Sequence, residues 1–244
     1  MGDAEGDLEL DLLRATVVEL EEALARVRAA QDTDRRFLAD AAHQLRTPIA
    51  GIRACAEALL RGAEAEQADR LFANLVRESS RLTRLEADLR TLARLDDGER
   101  LRVRAVDLVG VCKDEISRVW SLAPQLDVVL RAPALRWPVA VDDRAVREVL
   151  ANLLDNARRH AHSRIDVVIT PGQDGIDLRV ADDGPGVAAD MVESVFGRFV
   201  SLDGLGGSGL GLPIARDLAR ACGGDLGYRS GGFVLHLPLS GKNI

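Results

Sequence analysis

The chain of 244 residues is poor in aromatics (3%), has three cysteines, and contains no long apolar run. Each shortage excludes something. Few aromatics disfavour a platform that stacks bases or sugars. Cys55, Cys112 and Cys222 are scattered and odd in number, with no CxxC, so neither a disulfide framework nor a thiolate metal site is expected. That usage fits a reducing compartment. No apolar stretch approaches the roughly 18–20 residues that a bilayer span needs. No basic segment followed by an apolar one opens the chain as a signal peptide would. The formal net charge of −7 argues against a binder of nucleic acid or of anionic membrane. The expectation is a cytoplasmic chain with no membrane span of its own, or the cytoplasmic portion of something longer and membrane-anchored.

What is present first is helical periodicity. Leu10, Leu13, Val17, Leu20, Leu24 and Val27 recur at alternating steps of 3 and 4, a heptad seam. The a-phase continues through Gln31, Leu38, Leu45 and Ile52, and the d-phase through Asp34 and Ala41. Residues 1–32 are therefore expected to form a coiled coil, most simply in a parallel homodimer. The alternative is an amphipathic helix packing within one chain. Pro48 interrupts one backbone hydrogen bond and should kink the helix, which is expected to fade near Arg61-Gly62. A second helix beginning near Glu66 carries Ala68, Leu71, Leu75, Leu82, Leu85, Leu89 and Leu92, and Asp96-Asp97-Gly98 ends it. Two such hairpins bury their stripes as a four-helix bundle, placing a helical domain at 33–98.

After residue 98 the texture changes. Strand-like runs at Leu101–Val106, Leu126–Leu130, Arg164–Thr170, Ile176–Ala181 and Phe233–Leu237 alternate with helical patterns at Leu108–Trp120, Asp142–His160 and Gly209–Cys222. Residues 99–244 read as an α/β sandwich. The fold class is thus α plus α/β.

Three segments of that second domain carry chemistry. Asn152 and Asn156 lie four apart, hence on one helix face, with Arg159 and His160 extending it. Carboxamide oxygens suit a hard cation such as Mg²⁺, and a guanidinium suits phosphate, although a solvated helix face would look the same. Asp182-Asp183-Gly184-Pro185-Gly186 follows a strand. Its glycines allow close backbone approach to a ligand and its carboxylate can accept an amino group, or the segment is simply a tight turn. Gly206-Gly207-Ser208-Gly209-Leu210-Gly211-Leu212 opens a helix whose free N–H groups make an anion site, without the lysine of a P-loop.

Taken in order, Asn152-x-x-x-Asn156, Asp182-x-Gly184-x-Gly186, Phe196-Gly-Arg-Phe199 and Gly207-Ser-Gly209-Leu210-Gly211-Leu resemble the N-box, first glycine box, F-box and second glycine box of sensor histidine kinases. Phe37-Leu-Ala-Asp-Ala-Ala-His43-Gln44-Leu-Arg46-Thr47-Pro48 resembles the H-box of their dimerisation and phosphotransfer domain. With Leu38 at a and Ala41 at d, His43 falls at f, facing solvent. The resemblance implies a Bergerat-type ATP-binding fold in the wider superfamily that includes gyrase and a heat-shock chaperone. It also implies ATP with Mg²⁺ as cofactors, a homodimer, and a response regulator as partner. Asn156 would hold Mg²⁺ and Asp182 would read adenine. Asn152, Arg159, His160, Gly184, Gly186, Gly207, Gly209, Leu210 and Gly211 would line the nucleotide site. His43 would accept the phosphoryl group, and Val200–Gly206 would form a short ATP lid.

The chain departs from that pattern in places. The acidic residue usual after the histidine is Gln44, which can orient the ring but cannot take a proton. Thr47, the residue expected to orient water for dephosphorylating the regulator, is intact. The arginine often found after the F-box is missing, leaving Arg198 as its substitute. Arg159 and His160 stand where Lys and Tyr are common. The expected activity is an ATP-dependent histidine autokinase that also dephosphorylates its regulator. The alternatives are a kinase-impaired phosphotransfer and docking module, or a superfamily member of another type.

Overall fold

The computed structural model describes residues 2–98, 101–172, 174–200 and 207–238 and, for residues 2–23, 26, 29, 30, 33 and 34, the backbone alone. The chain forms two compact units, Met1–Glu78 and Ser79–Ile244, and the boundary falls inside the second helix.

In the first unit, α1 runs unbroken from Gly2 to Leu60 with Pro48 inside it. The heptad leucines up to Leu20 lie outside the described side chains. Leu24 and Val27 are about half exposed in the single chain. The chain reverses at Gly62, whose φ of +86° lies in the left-handed region, and α2 runs from Ala65 to Asp96. Gly51 of α1 lies against Glu78 of α2, as an antiparallel hairpin requires. Ala41, Pro48 and Cys55 are buried along α1, whereas Leu38, Ile49, Phe72 and Val76 remain exposed.

In the second unit β1 (Arg104–Asp107) leads into α3 (Leu108–Leu122), β2 (Asp127–Arg131), β3 (Pro138–Val141) and α4 (Asp143–His160). There follow β4 (Arg164–Pro171), β5 (Gly175–Asp182), α5 (Gly211–Ala221), β6 (Asp225–Arg229) and β7 (Gly232–Pro238). The main sheet has the order β2-β4-β5-β7-β6, parallel only between β2 and β4. A β1-β3 pair stands apart.

From Arg164 to Ile169 burial alternates along β4, with Ile165, Val167 and Ile169 inward and Arg164 and Asp166 paired on the outer face. A sheet covered on one side produces that pattern. The covering layer is α3, α4 and α5, through Val111, Ile116, Leu150, Leu153, Ile214 and Leu218. Cys55 and Cys112 are buried thiols, and all three cysteines are free. Burial pushes Cys112 up to about 12, so it behaves as a small apolar side chain.

Two strands, β3 and β6, fall outside the runs expected from sequence. β3 has four residues and begins at a proline. β6 has Gly227 at its centre, which weakens the strand pattern, and is set in register by pairing with β7.

Asp142 caps α4. Its carboxylate accepts from the Ala145 N–H at 3.1 Å and from the Arg102 N–H at 2.7 Å. Because α4 carries the asparagine pair, this cap fixes where the functional helix begins. Asp142→Ala should cost about 1 kcal/mol, lowering the melting temperature by about 2–4 °C. Asp142→Asn should restore most of it. Thermal denaturation followed by circular dichroism checks this, and an unchanged midpoint for the alanine variant would refute the cap's contribution.

Candidate nucleotide site and phosphoacceptor helix

The second unit contains a cavity of about 390 Å³, within the usual range for small-molecule sites. One wall is the polar face of α4. The opposite face buries Val146, Val149, Leu150, Leu153 and Leu154, so the same 3.6-residue period that makes the core leaves Asn152, Asn156, Arg159 and His160 on the cavity. Arg159 is steadied by an Nε–H bond to the Asp155 carbonyl at 3.1 Å, and its guanidinium lies against Gly207. The Asn152 carboxamide faces Gly211 at the start of α5.

The second wall is the end of β5. Asp182 lines the cavity, and its Oδ1 accepts from the Gly184 N–H at 3.0 Å. Burial raises its pKa above the usual carboxylate range, partly offset by that bond. Gly184 is required here, since a Cβ would collide with the His160 carbonyl and the Asp182 carboxylate. Asp183 turns the other way. Its carboxylate accepts from the Ser163 hydroxyl at 2.6 Å and from the backbone N–H groups of His162, Ser163 and Arg164. The Ser163 hydroxyl bond, followed by those amides, holds its pKa well below the usual range. The two adjacent aspartates thus divide their work: one faces the cavity and the other staples the α4–β4 loop beneath it.

The third wall is Gly207, Ser208, Gly209 and Gly211 at the N-terminus of α5. Gly209 has φ +69°, and a Cβ there would strike the backbone of Phe199. The Phe199 N–H bonds the Gly209 carbonyl at 2.8 Å, which ties the Phe196–Phe199 segment to the glycine loop. Phe199 itself has φ +62°, a region that non-glycine residues rarely adopt.

The apolar floor was not legible in the sequence. Tyr228 accepts the Val187 N–H at 3.0 Å. Phe233 stands edge-on to both Tyr228 (5.0 Å) and Phe196 (6.0 Å). Arg216 lies 4.5 Å over Phe196. The signal was available in the chain's scarce aromatics, three of which meet here.

Three of the residues named from the sequence do not line the cavity. Leu210 is fully buried and does not line the cavity; it anchors the loop in the core while its N–H bonds the Ser208 hydroxyl at 3.2 Å. Gly184 acts from behind Asp182 rather than on the cavity surface. Arg198 is not on the cavity, and its guanidinium lies near Asp217 and Asp96, at 3.9 and 4.0 Å. Residues 201–206 of the expected lid lie outside the described residues.

In the first unit, described by itself, His43 is exposed on α1 and Ala41 is buried, as the heptad placement expected. The Thr47 hydroxyl lies 3.5 Å from the His43 carbonyl, one helical turn away. Pro48 is buried and has no N–H to donate to the Gln44 carbonyl.

Fold and site together define a chain that joins a helical hairpin bearing an exposed histidine to an ATPase-type α/β layer. Comparison with known proteins agrees. Residues 33–98 match the His Kinase A (phospho-acceptor) domain family, and residues 141–241 match the Histidine kinase-, DNA gyrase B-, and HSP90-like ATPase family. The chain belongs to the sensor histidine kinases.

It is 34% identical to the Swarming motility regulation sensor protein RssA of Serratia marcescens over 241 residues, covering 93% of this chain and 51% of that protein. It is also 34% identical to the Probable sensor histidine kinase TcrY of Mycobacterium tuberculosis, covering 90% of this chain and 49% of the relative. The chain therefore spans about half the length of these curated relatives. Among solved structures, the Acinetobacter baumannii histidine kinase AdeS matches with a TM-score of 0.64 at 25% identity, covering 82% of this chain and 98% of that one. Full-length ShkA, solved in complex with AMPPNP, matches at 0.59 and 25% identity, covering 82% of this chain and 45% of ShkA. No helix among the described residues is long and apolar enough to cross a membrane.

Proposed function

We propose that this chain is an ATP-dependent protein histidine autokinase of a two-component system. The observation that carries the reading is the conjunction, in one chain, of an exposed H-box histidine with a cavity that presents Asn152 and Asn156, Asp182 and a glycine-rich helix start. The donor set fits a nucleotide. The half-buried Asp182 carboxylate can accept an amino group beside an apolar floor, and the α5 N–H groups with Arg159 suit phosphates. Mg²⁺, when bound beside Asn156, would neutralise triphosphate charge. Among the described residues no cluster of three His, Cys, Asp or Glu side chains could hold an ion alone, so phosphate and water oxygens would complete its shell.

In the proposed reaction His43 Nε2, as the neutral imidazole, attacks the γ-phosphorus. The bond from that phosphorus to the β,γ-bridging oxygen breaks and ADP leaves. The phosphoryl group then passes to an aspartate of a response regulator. Protein groups act here by positioning and charge neutralisation. Gln44 orients the ring, and Thr47 serves in removing phosphate from the regulator. We assign residues 33–98 to dimerisation and phosphotransfer and 99–244 to nucleotide binding, with 1–32 as a coiled coil. Exposed Leu38, Ile49, Phe72 and Val76 support a homodimer that covers them. The reading places this core in the cytoplasm, where ATP is available.

Incubation of the chain with γ-labelled ATP and Mg²⁺ tests this. The expected label is acid-labile and alkali-stable, as a phosphohistidine is. Gln44, which cannot take a proton, favours one competing reading, a kinase-impaired docking module. Nucleotide binding with no label incorporation would select it. Acid-stable label would overturn the histidine assignment.

A further inference from the structure

The cavity contains an acidic side chain that no step above uses, and it comes from α2. Asp88 is half-buried on the cavity, and its Oδ2 accepts from the Ser208 hydroxyl at 2.7 Å. That hydroxyl oxygen in turn accepts the Leu210 N–H at 3.2 Å. A two-bond relay therefore runs from the start of α5 to a carboxylate of the same chain. The positive end of a helix, with its glycine-rich approach, is where a nucleotide's phosphates are expected. Here the protein's own anion is tied to it.

The surroundings make this carboxylate easy to displace. Burial opposes its charge and raises its pKa, and the Ser208 bond only partly offsets this. Glu148 adds repulsion, while Arg84 and Arg159 attract it. Arg81 and Arg84 lie on the same face of α2 as Asp88 and also border the cavity.

We propose that Asp88 is an internal competitor of nucleotide phosphate: the closed Asp88–Ser208 contact holds the glycine loop in a low-affinity state, and ATP binding opens it. The inference rests on the cavity being the ATP site. It makes α2 more than a packing partner, because this helix crosses from the first compact unit into the second. A shift along α2 that opens the contact would raise nucleotide affinity, and bound nucleotide would favour that same shift.

Isothermal titration of the full chain with adenosine, ADP and ATP·Mg²⁺ tests the proposal. If the contact is closed about nine-tenths of the time, apparent ATP affinity is reduced about tenfold. Asp88→Asn removes the charge and Asp88→Ala removes the contact. Both should tighten ATP binding by about tenfold, ADP by less, and leave adenosine within about twofold, because the competition is with phosphate. In a Ser208→Ala background the gain from Asp88→Ala should shrink, as a pairwise contact requires. Unchanged or weaker ATP binding in both Asp88 variants would overturn the proposal, as would an adenosine shift equal to that of ATP. A wild-type chain that binds neither adenosine nor ATP would instead overturn the nucleotide reading, and the competitor with it. Wild-type binding with unaltered variants removes the competitor alone.

Discussion

Replacing His43 with Gln is expected to abolish phosphoryl incorporation from ATP while leaving nucleotide affinity almost unchanged. Glutamine is a good helix former and the position is exposed, so α1 should persist. It offers no imidazole nitrogen to attack phosphorus. Residue 43 and the cavity belong to different compact units. For independent sites an effect of no more than about 0.5 kcal/mol on binding is expected, a factor of about two in Kd. Phosphate-affinity electrophoresis measures incorporation and isothermal titration measures affinity. Label that survives in the His43→Gln variant would move the phosphoacceptor elsewhere. Label lost together with ATP affinity would mean that the substitution damaged the fold rather than the chemistry.

Asn156→Ala is expected to remove the Mg²⁺-dependent part of ATP binding. Alanine keeps α4 intact, and Asn156 is on its polar face, so the core stripe from Val146 to Leu154 is untouched. Losing a contact to a charged group costs about 1.5–3 kcal/mol, which corresponds to about ten- to a hundredfold in Kd. Adenosine, which carries no triphosphate and needs no cation, should bind as before. The comparison is made with and without Mg²⁺. Equal ATP affinity under both conditions in the wild-type chain would contradict the assignment of Asn156 to the cation.

The elements that positioned the site were largely legible in the sequence because the helical stripe and the strand-like runs stood out. The 3.6-residue stripe of α4 predicted both its core face and its polar face, and both are observed. The strand-like runs at Arg164–Thr170 and Ile176–Ala181 placed β4 and β5, the strands that present Asp182. β3 and β6 were not legible. A four-residue strand and a strand with a central glycine carry little pattern of their own, and their partners β1 and β7 define them. Tyr228 was missed with its strand. Where the side chains of Leu210 and Arg198 point was not legible either: the resemblance named these residues, but burial and nearby carboxylates decided their direction.

By itself the sequence determined which residues could do chemistry and in what order they occur. Residue type fixes donor and acceptor capacity, and helical periodicity fixes which side chains share a face. It placed His43 on the exposed side of α1 and gathered Asn152, Asn156 and Arg159 onto one stripe. Only the tertiary structure decided which neighbouring group takes which task. Asp182 and Asp183 are identical side chains, one residue apart. One faces the cavity because Gly184 lets the chain pass beneath His160, and the other is consumed by three loop amides and a hydroxyl. The contact of Asp88 with Ser208 joins residues 120 positions apart. No local pattern encodes such a pair, because it depends on where α2 and the glycine loop before α5 meet, and packing is a property of the whole unit rather than of either segment.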